Sequence, residues 1–219
     1  MTNDRALTDK LYQEFARIGK CLSSPKRLEI LDLLSQSPKS VEGLAKDTGM
    51  TVANVSQHLQ TLHHARLVSY RKQGNFVFYE LADDEVSGFM GSLHRLSEKQ
   101  LVQVQQIKKE FMSNQSEMEA VTLADLRRRM ELGEIMLIDV RPRVEYDAAH
   151  IPGAVSIPIE ELEEKLASLP TNCDVVAYCR GPYCLMSVEA VGLLQAKGFK
   201  AFRLEDSVQD WKEFAKNAE

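Results

Sequence analysis

The sequence predicts two folded parts of different class: a mainly α-helical module carrying a β-hairpin, then an α/β module with a central parallel sheet. Three observations carry that division. Residues 5–63 repeat apolar side chains at three- and four-residue spacing between capping residues, the period of amphipathic helices. Residues 68–81 alternate around Gln73-Gly74-Asn75, a hairpin signal. Residues 175–194 pass from a short apolar run through a tight loop into an amphipathic stretch, the order strand, loop, helix. A chain of 219 residues accommodates two domains of about a hundred residues each. The expected boundaries are 1–112, a polar linker at 113–120 that includes Ser113-Asn114-Gln115-Ser116, and 121–219.

In the first part, Leu7, Leu11, Phe15 and Ile18 mark one face of a helix over residues 5–20. Ser24-Pro25 offers an N-cap and a first-turn proline for a helix over 26–34. Ser40 caps the next, over 41–47, and Gly49 ends it. Thr51 caps a fourth that runs to residue 62 or 63, and residues 83–111 read as one long helix, polar on one side. Two short helices joined by a tight turn and followed by a hairpin make a winged helix-turn-helix, a fold that places its second helix in the DNA major groove. On the Thr51 helix, Val55, Leu59 and Leu62 face the core, leaving Thr51, Ala53, Asn54, Ser56, Gln57 and His58 as the candidate DNA-reading set. Gln and Asn pair bidentately with adenine, and Thr meets a thymine methyl or a phosphate. Arg71, Lys72 and Asn75 on the wing suit phosphate or minor-groove contact.

The motifs Gly43-Leu44-Ala45, Gly49-Met50-Thr51, Val55-Ser56-Gln57-His58-Leu59, Ala65-Arg66-Leu67-Val68 and Tyr79-Glu80-Leu81 resemble the ArsR/SmtB repressor family over residues 12–81. One departure is Arg66, where the family commonly has Gly, so the turn there needs a non-glycine residue to take its backbone angles or a different turn. The resemblance implies a homodimer on a double-stranded operator, its recognition helices about one DNA turn, roughly 34 Å, apart. The helices over 5–20 and 83–111 would pair between subunits. Leu93, Leu96, Leu101, Val104, Ile107 and Phe111 either supply that seam or cover their own domain.

Charge is unevenly shared. Through Gln115 there are 15 Lys and Arg against 13 Asp and Glu, and the remainder has 12 against 19, giving a chain total of −5. The acidic second part is therefore a poor partner for nucleic acid, whereas the first suits it wherever its basic residues cluster. No apolar run approaches the roughly 20 residues of a membrane helix, and the polar N-terminus has no signal-peptide core. Cysteines at 21, 173, 179 and 184 form neither a disulfide framework nor a zinc-ribbon pattern. A cytoplasmic chain with reactive thiols is expected, in contact with no membrane.

In the second part, Thr122 with Asp125 marks a helix start. The loop after the strand at 175–178 reads Cys179-Arg180-Gly181-Pro182-Tyr183-Cys184 and leads through Leu185 into a helix. A thiol at a strand's C-terminal end, facing a helix N-terminus, meets partial positive charge that favours the thiolate. Leu137-Ile138-Asp139-Val140-Arg141, Glu145-Tyr146, His150-Ile151-Pro152-Gly153-Ala154, Gly198-Phe199, Leu204-Glu205 and Trp211 accompany that loop. Together they resemble the rhodanese domain over residues 121–214. The resemblance implies that Cys179 carries sulfane sulfur as a persulfide, taken from a sulfane-sulfur donor and passed to a thiol acceptor. Rhodanese loops often end in Arg where this one has Cys184, which leaves Arg180 as the candidate replacement guanidinium. Leu204-Glu205-Asp206-Ser207 replaces a Gly-Gly pair common in relatives. Cys184 either attacks a Cys179 persulfide to form a disulfide or is a small packed residue at the helix start. Asp139, Arg141, Glu145 and His150 are expected to brace loops, and Cys173 to be structural or exposed.

No metal site is expected: the first part has a single cysteine, His94 and Glu98 lack a second histidine at useful spacing, and His63 and His64 point apart. No cofactor is expected either. Three functions follow from the pattern. The first is a transcriptional repressor whose rhodanese domain reports sulfane sulfur or thiol oxidation through Cys179. The second is a sulfurtransferase with an accessory winged helix. The third is an arsenate- or phosphate-directed cysteine enzyme, which the six-residue span from Cys179 to Cys184 suits less well than it suits sulfur transfer.

Overall fold

Side-chain caps open several of the helices. The structure is a computed structural model that describes residues 2–113, 120–170 and 172–216. Its chain divides into two compact units, Met1–Leu96 and Ser97–Glu219.

The first unit begins with α1 (Thr2–Leu22) and α2 (Pro25–Gln36). Ser24 holds the N-cap position of α2 in extended backbone, but its side chain makes no capping bond, unlike the expected cap. Proline at N1 lacks the N–H that is unsatisfied there in any case, which lowers the need for one. A two-residue strand β1 (Lys39–Ser40) comes next, followed by α3 (Val41–Thr48), where the Ser40 hydroxyl accepts from the Gly43 N–H at 3.0 Å. Gly49 closes that helix at φ 66°, the left-handed angle that a Cβ disfavours. Thr51 caps α4 (Val52–His64) by accepting from the Asn54 N–H at 3.3 Å.

At the end of α4, Leu67 N–H donates to the Leu62 carbonyl and Arg66 N–H to the His63 carbonyl. That is a Schellman closure, and it puts Arg66 in the left-handed region at φ 59°. Arg66 therefore takes the glycine-like angles itself; the turn does not change type. Strands β2 (Val68–Gln73) and β3 (Phe76–Leu81) pair antiparallel from Val68↔Leu81 to Gln73↔Phe76, and β1 adds to the other edge of β3. The core beneath is Ile30, Leu31, Leu44, Val55, Leu59 and Leu62, all fully buried. Each such side chain contributes about 1.5–3 kcal/mol relative to exposure.

The expected single helix over 83–111 is two helices, α5 (Asp84–Gln100) and α6 (Val102–Ser113), parted at Leu101. The Gln105 side-chain amide donates to the Glu98 carbonyl at 3.0 Å, supplying a partner for a carbonyl at the end of α5.

The second unit holds a five-stranded sheet in the order β4-β8-β7-β5-β6, every neighbouring pair parallel. The strands are β4 (Ala120–Val121), β5 (Ile135–Asp139), β6 (Val155–Ser156), β7 (Asp174–Tyr178) and β8 (Ala201–Leu204). Connecting helices are α7 (Leu123–Glu131), α8 (Arg143–Ala148), α9 (Ile159–Lys165), α10 (Leu185–Ala196) and α11 (Val208–Lys216). Apolar clusters fill both sides, one around Ile138, Val175, Ala177 and Val191, the other around Leu126, Leu137, Val176 and Tyr178. That explains why the strands read as continuous apolar runs. Thr122 caps α7 through the Asp125 N–H, as its spacing predicts. Ser207 and Asp210 cap α11 reciprocally, Ser207 N–H to the carboxylate at 2.8 Å and Asp210 N–H to the hydroxyl at 3.3 Å. Residues 114–119 of the expected linker lie outside the described residues.

Candidate functional site

In the first unit, the face of α4 turned from the core carries Thr51, Ala53, Asn54 and Gln57 in the open, with Ser56 and His58 half-buried. Val55, Leu59 and Leu62 are buried as predicted, while His58, expected on the exposed side, is half-buried. Arg71, Lys72 and Asn75 are exposed on the hairpin. No described hydrogen bond occupies the side chains of Asn54, Gln57, Arg71 or Lys72, and their polar groups are directed to solvent. Apolar side chains are exposed along α1 (Leu7, Leu11, Tyr12 and Phe15) and on α5 (Phe89 and Leu96). Leu93, one of the residues expected either in the seam or over its own domain, packs on its own core, as does Ile18 of α1. In the second unit, Leu101, Val102 and Ile107 are also exposed, while Val104 is half-buried. Phe111 has no described side chain.

The second site grows from β7, the central strand of the parallel sheet. Ligands of open parallel sheets bind beyond the carboxyl ends of the strands, and Cys179 is the first residue past that end. Cys179 is 1% exposed and joined by a disulfide to Cys184, with their Cα atoms 6.2 Å apart. Of the two readings of Cys184, the disulfide partner is the one observed. Cys184 is also the N-cap residue of α10, although its side chain makes no capping bond. Between the cysteines Gly181 is buried at φ 134°, an angle glycine alone adopts readily. Cys184 N–H donates to its carbonyl at 3.2 Å, closing the loop. Tyr183 and Leu185 are the exposed residues at the rim.

Arg180 does not reach into the loop's centre as the replacement guanidinium. Its Nε and Nη2 donate to the two carboxylate oxygens of Glu145 at 3.0 and 2.5 Å, and Glu145 is completely buried on α8. The fork neutralises both charges and fixes the loop's second residue. The guanidinium beneath the loop belongs to Arg203 on β8. It is 2% exposed, donates through Nε to the Ser187 hydroxyl at 3.1 Å, and through Nη2 to the Pro182 carbonyl. Burial lowers the Arg203 pKa, with Glu205 opposing that shift. Holding the Pro182 carbonyl down fixes the orientation of the peptide between the two cysteines. Sequence reasoning missed Arg203; the available signal was a lone arginine inside the apolar run Ala201–Leu204.

Deeper still, Asp139 and Arg141 form a fully buried pair, Nη2 to Oδ2 at 2.6 Å, and Arg141 also donates to the Ala149 carbonyl at 2.8 Å. The Tyr178 hydroxyl accepts from the Ile151 N–H at 3.1 Å, and burial raises its pKa far above the ordinary phenol value. His150 stacks on the Tyr146 ring at 3.9 Å, and its Nδ1 lies 2.9 Å from the Tyr146 carbonyl. All four expected bracing residues hold loops, and none of their described bonds is to Cys179. Cys173 is half-buried and free. Cys21 is buried, and that burial raises its thiol pKa, against the lowering effect of Arg27; such a thiol is a poor nucleophile. Among the described residues no group of three or more His, Cys, Asp or Glu is placed to hold a metal ion. Among them, too, no helix is long and apolar enough to cross a membrane.

Comparison with known proteins matches residues 24–70 to the model of the bacterial regulatory protein arsR family and residues 122–214 to the rhodanese-like domain. The chain is 40% identical over 202 residues to the HTH-type transcriptional regulator Rv0324 of Mycobacterium tuberculosis, covering 92% of this chain and 88% of that protein. The chain is 29% identical over 100 residues to the putative sulfur carrier protein YrkF of Bacillus subtilis, covering 45% of this chain and 53% of that one. A solved winged helix-turn-helix domain from Mycobacterium bovis, described as homodimeric and DNA-binding, is 34% identical. It covers 42% of this chain and 86% of its own, with a TM-score of 0.41.

Proposed function

The chain belongs to the ArsR family of helix-turn-helix transcriptional regulators, with a rhodanese domain at its C-terminal end, and from that premise we propose a repressor whose rhodanese domain senses sulfane sulfur through Cys179. The observation that carries the reading is the disulfide between Cys179 and Cys184 at the end of the central strand. In the proposed chemistry the Cys179 thiolate attacks the sulfane sulfur of a polysulfide or persulfide, whose S–S bond breaks and whose remainder leaves as a thiolate. Cys184 then attacks Cys179 Sγ, forming the disulfide and releasing hydrosulfide. Two thiols are oxidised and one sulfane sulfur is reduced. A dedicated sulfurtransferase needs the persulfide to survive until an acceptor arrives; a resolving cysteine five residues away favours sensing over turnover.

The partners proposed with this reading are a double-stranded operator, read by the exposed face of α4 and the wing, and a second copy of the chain. Dimerisation is supported by the apolar side chains exposed on α1 (Leu7, Leu11, Tyr12 and Phe15) and by Phe89 and Leu96 on α5. The domain limits proposed are 1–112, 113–120 and 121–219, and the location is the cytoplasm, where the operator is.

Treatment of the Cys184→Ser chain with polysulfide is expected to add about 32 Da, one sulfur atom, at Cys179. The wild-type chain is expected to end instead as a Cys179–Cys184 crosslink reversed by dithiothreitol. Cys179→Ser should show neither product. A persulfide on Cys173 or Cys21 with Cys179 unmodified would remove the reading.

A further inference from the structure

The loop between the two cysteines is held from outside as well as from beneath. Within the second unit, the hydroxyl of Tyr183, the residue before Cys184, donates to Glu98 Oε1 at 2.6 Å. The phenol's pKa is raised by burial and by that carboxylate, so it remains a donor at any physiological pH. Glu98 sits in the last turn of α5 and also faces Lys108 Nζ of α6 at 3.6 Å. Lys108 in turn lies 3.7 Å from Glu205, which follows the strand that carries Arg203. Glu98 is thus the common partner of the sulfur loop and of the α5–α6 joint, where its own carbonyl accepts from Gln105. Helix α5 continues without a break back to Asp84, and its Val86 and Met90 are buried in the winged-helix core.

We propose that Glu98 is the coupling residue through which the Cys179–Cys184 loop controls DNA affinity. The inference rests on the reading that this loop exchanges sulfur and that the first unit binds an operator. The physical argument is that the disulfide closes residues 179–184 into a ring and so fixes where Tyr183 stands. Opening the ring, with a dithiol supplying two electrons and two protons, frees Cys184 and the adjacent Tyr183. A charge-assisted bond of this kind depends steeply on donor position and angle. Glu98 then exchanges Tyr183 for water or for Lys108, and the α5–α6 joint adopts the arrangement suited to that partner. Only a contact that differs between the two loop states can transmit the state, and this one ends on the last turn of α5, whose earlier residues Val86 and Met90 belong to the winged-helix core. Arg203 and Glu145 lack that property, since both anchor the loop to the rhodanese sheet and its own helix.

The test uses the full chain and a DNA site chosen by random-site selection with the wild type. Affinity is measured after dithiothreitol and after polysulfide treatment, with the disulfide verified by peptide mapping. The wild type is expected to change affinity about 5-fold or more between the two states. Glu98→Ala, on an accessible helix surface that alanine suits, is expected to form the same crosslink at the same rate while its affinity changes less than about 2-fold. Glu98→Gln keeps an acceptor for Tyr183 but loses the charge, and its response should fall between the two. If both variants respond like the wild type, Glu98 is not the coupling residue and the proposal fails. If the wild type itself shows no change while the crosslink forms, the sensing reading fails before the question of coupling arises.

Discussion

The two candidate sites are built by opposite means. The α4 face and the wing leave Thr51, Asn54, Gln57, Arg71, Lys72 and Asn75 exposed, while the other side of α4 packs into the apolar core. The Cys179 loop instead rests on charges withdrawn from solvent: Asp139, Arg141, Glu145 and Arg203 are all buried, each with a named partner. A surface that must meet phosphate and base edges needs freedom and exposure. A loop that must hold one sulfur in place needs its peptide groups fixed, and bonds to charged groups fix them more firmly than neutral ones do. The contrast teaches that damage to the first site should weaken binding without unfolding anything, whereas damage to the second should register as lost stability.

The largest effect expected on that contrast is at Arg203. Arg203→Met keeps the apolar stem and leaves the Pro182 carbonyl and Ser187 hydroxyl without their donor. Stability in urea should fall by about 3 kcal/mol, since bonds to a charged group contribute about 1.5–3 kcal/mol each. An unchanged unfolding midpoint would show that the loop does not depend on the buried guanidinium. Gln57→Ala comes next: specific DNA binding should weaken by about 1–3 kcal/mol with relaxed preference at one base position. Arg71→Ala should weaken binding to every sequence alike and lower the salt slope by about one. Neither should move the urea midpoint by more than about 0.5 kcal/mol; a larger loss would mean that the face is structural after all. The smallest effect is at Arg66, held at φ 59°. Arg66→Gly should relieve the left-handed strain and raise stability by about 1 kcal/mol, partly offset by glycine's greater unfolded-state entropy.

The same contrast explains what was legible in the sequence. Caps at Ser40, Thr51 and Thr122, the hairpin at Gly74 and the sidedness of α4 rest on residues a few positions apart, so local pattern reveals them. The Cys179 loop was legible too, because strand, thiol and helix follow one another in the chain. The expectations failed where the deciding partner is remote. Whether Arg180 replaces the missing loop arginine is open in the sequence, because its partner Glu145 lies 35 residues away. Arg203 was missed because its partner, the Pro182 carbonyl, lies 21 residues back in the chain. The break at Leu101 has no proline or glycine to announce it; there the Gln105 side-chain amide donates to the Glu98 carbonyl. Ser24 shows the converse, a correct cap position whose side chain makes no cap bond.

The most direct test of the account is a titration of the selected operator with four samples, the wild type and Cys179→Ser, each before and after polysulfide. The account predicts that the donor shifts the wild-type affinity about 5- to 150-fold, the range of ordinary coupling free energies, and leaves Cys179→Ser unmoved. Equal affinities in all four samples would contradict it, and would mean that the sulfur loop and the DNA-binding unit share a chain without sharing a function.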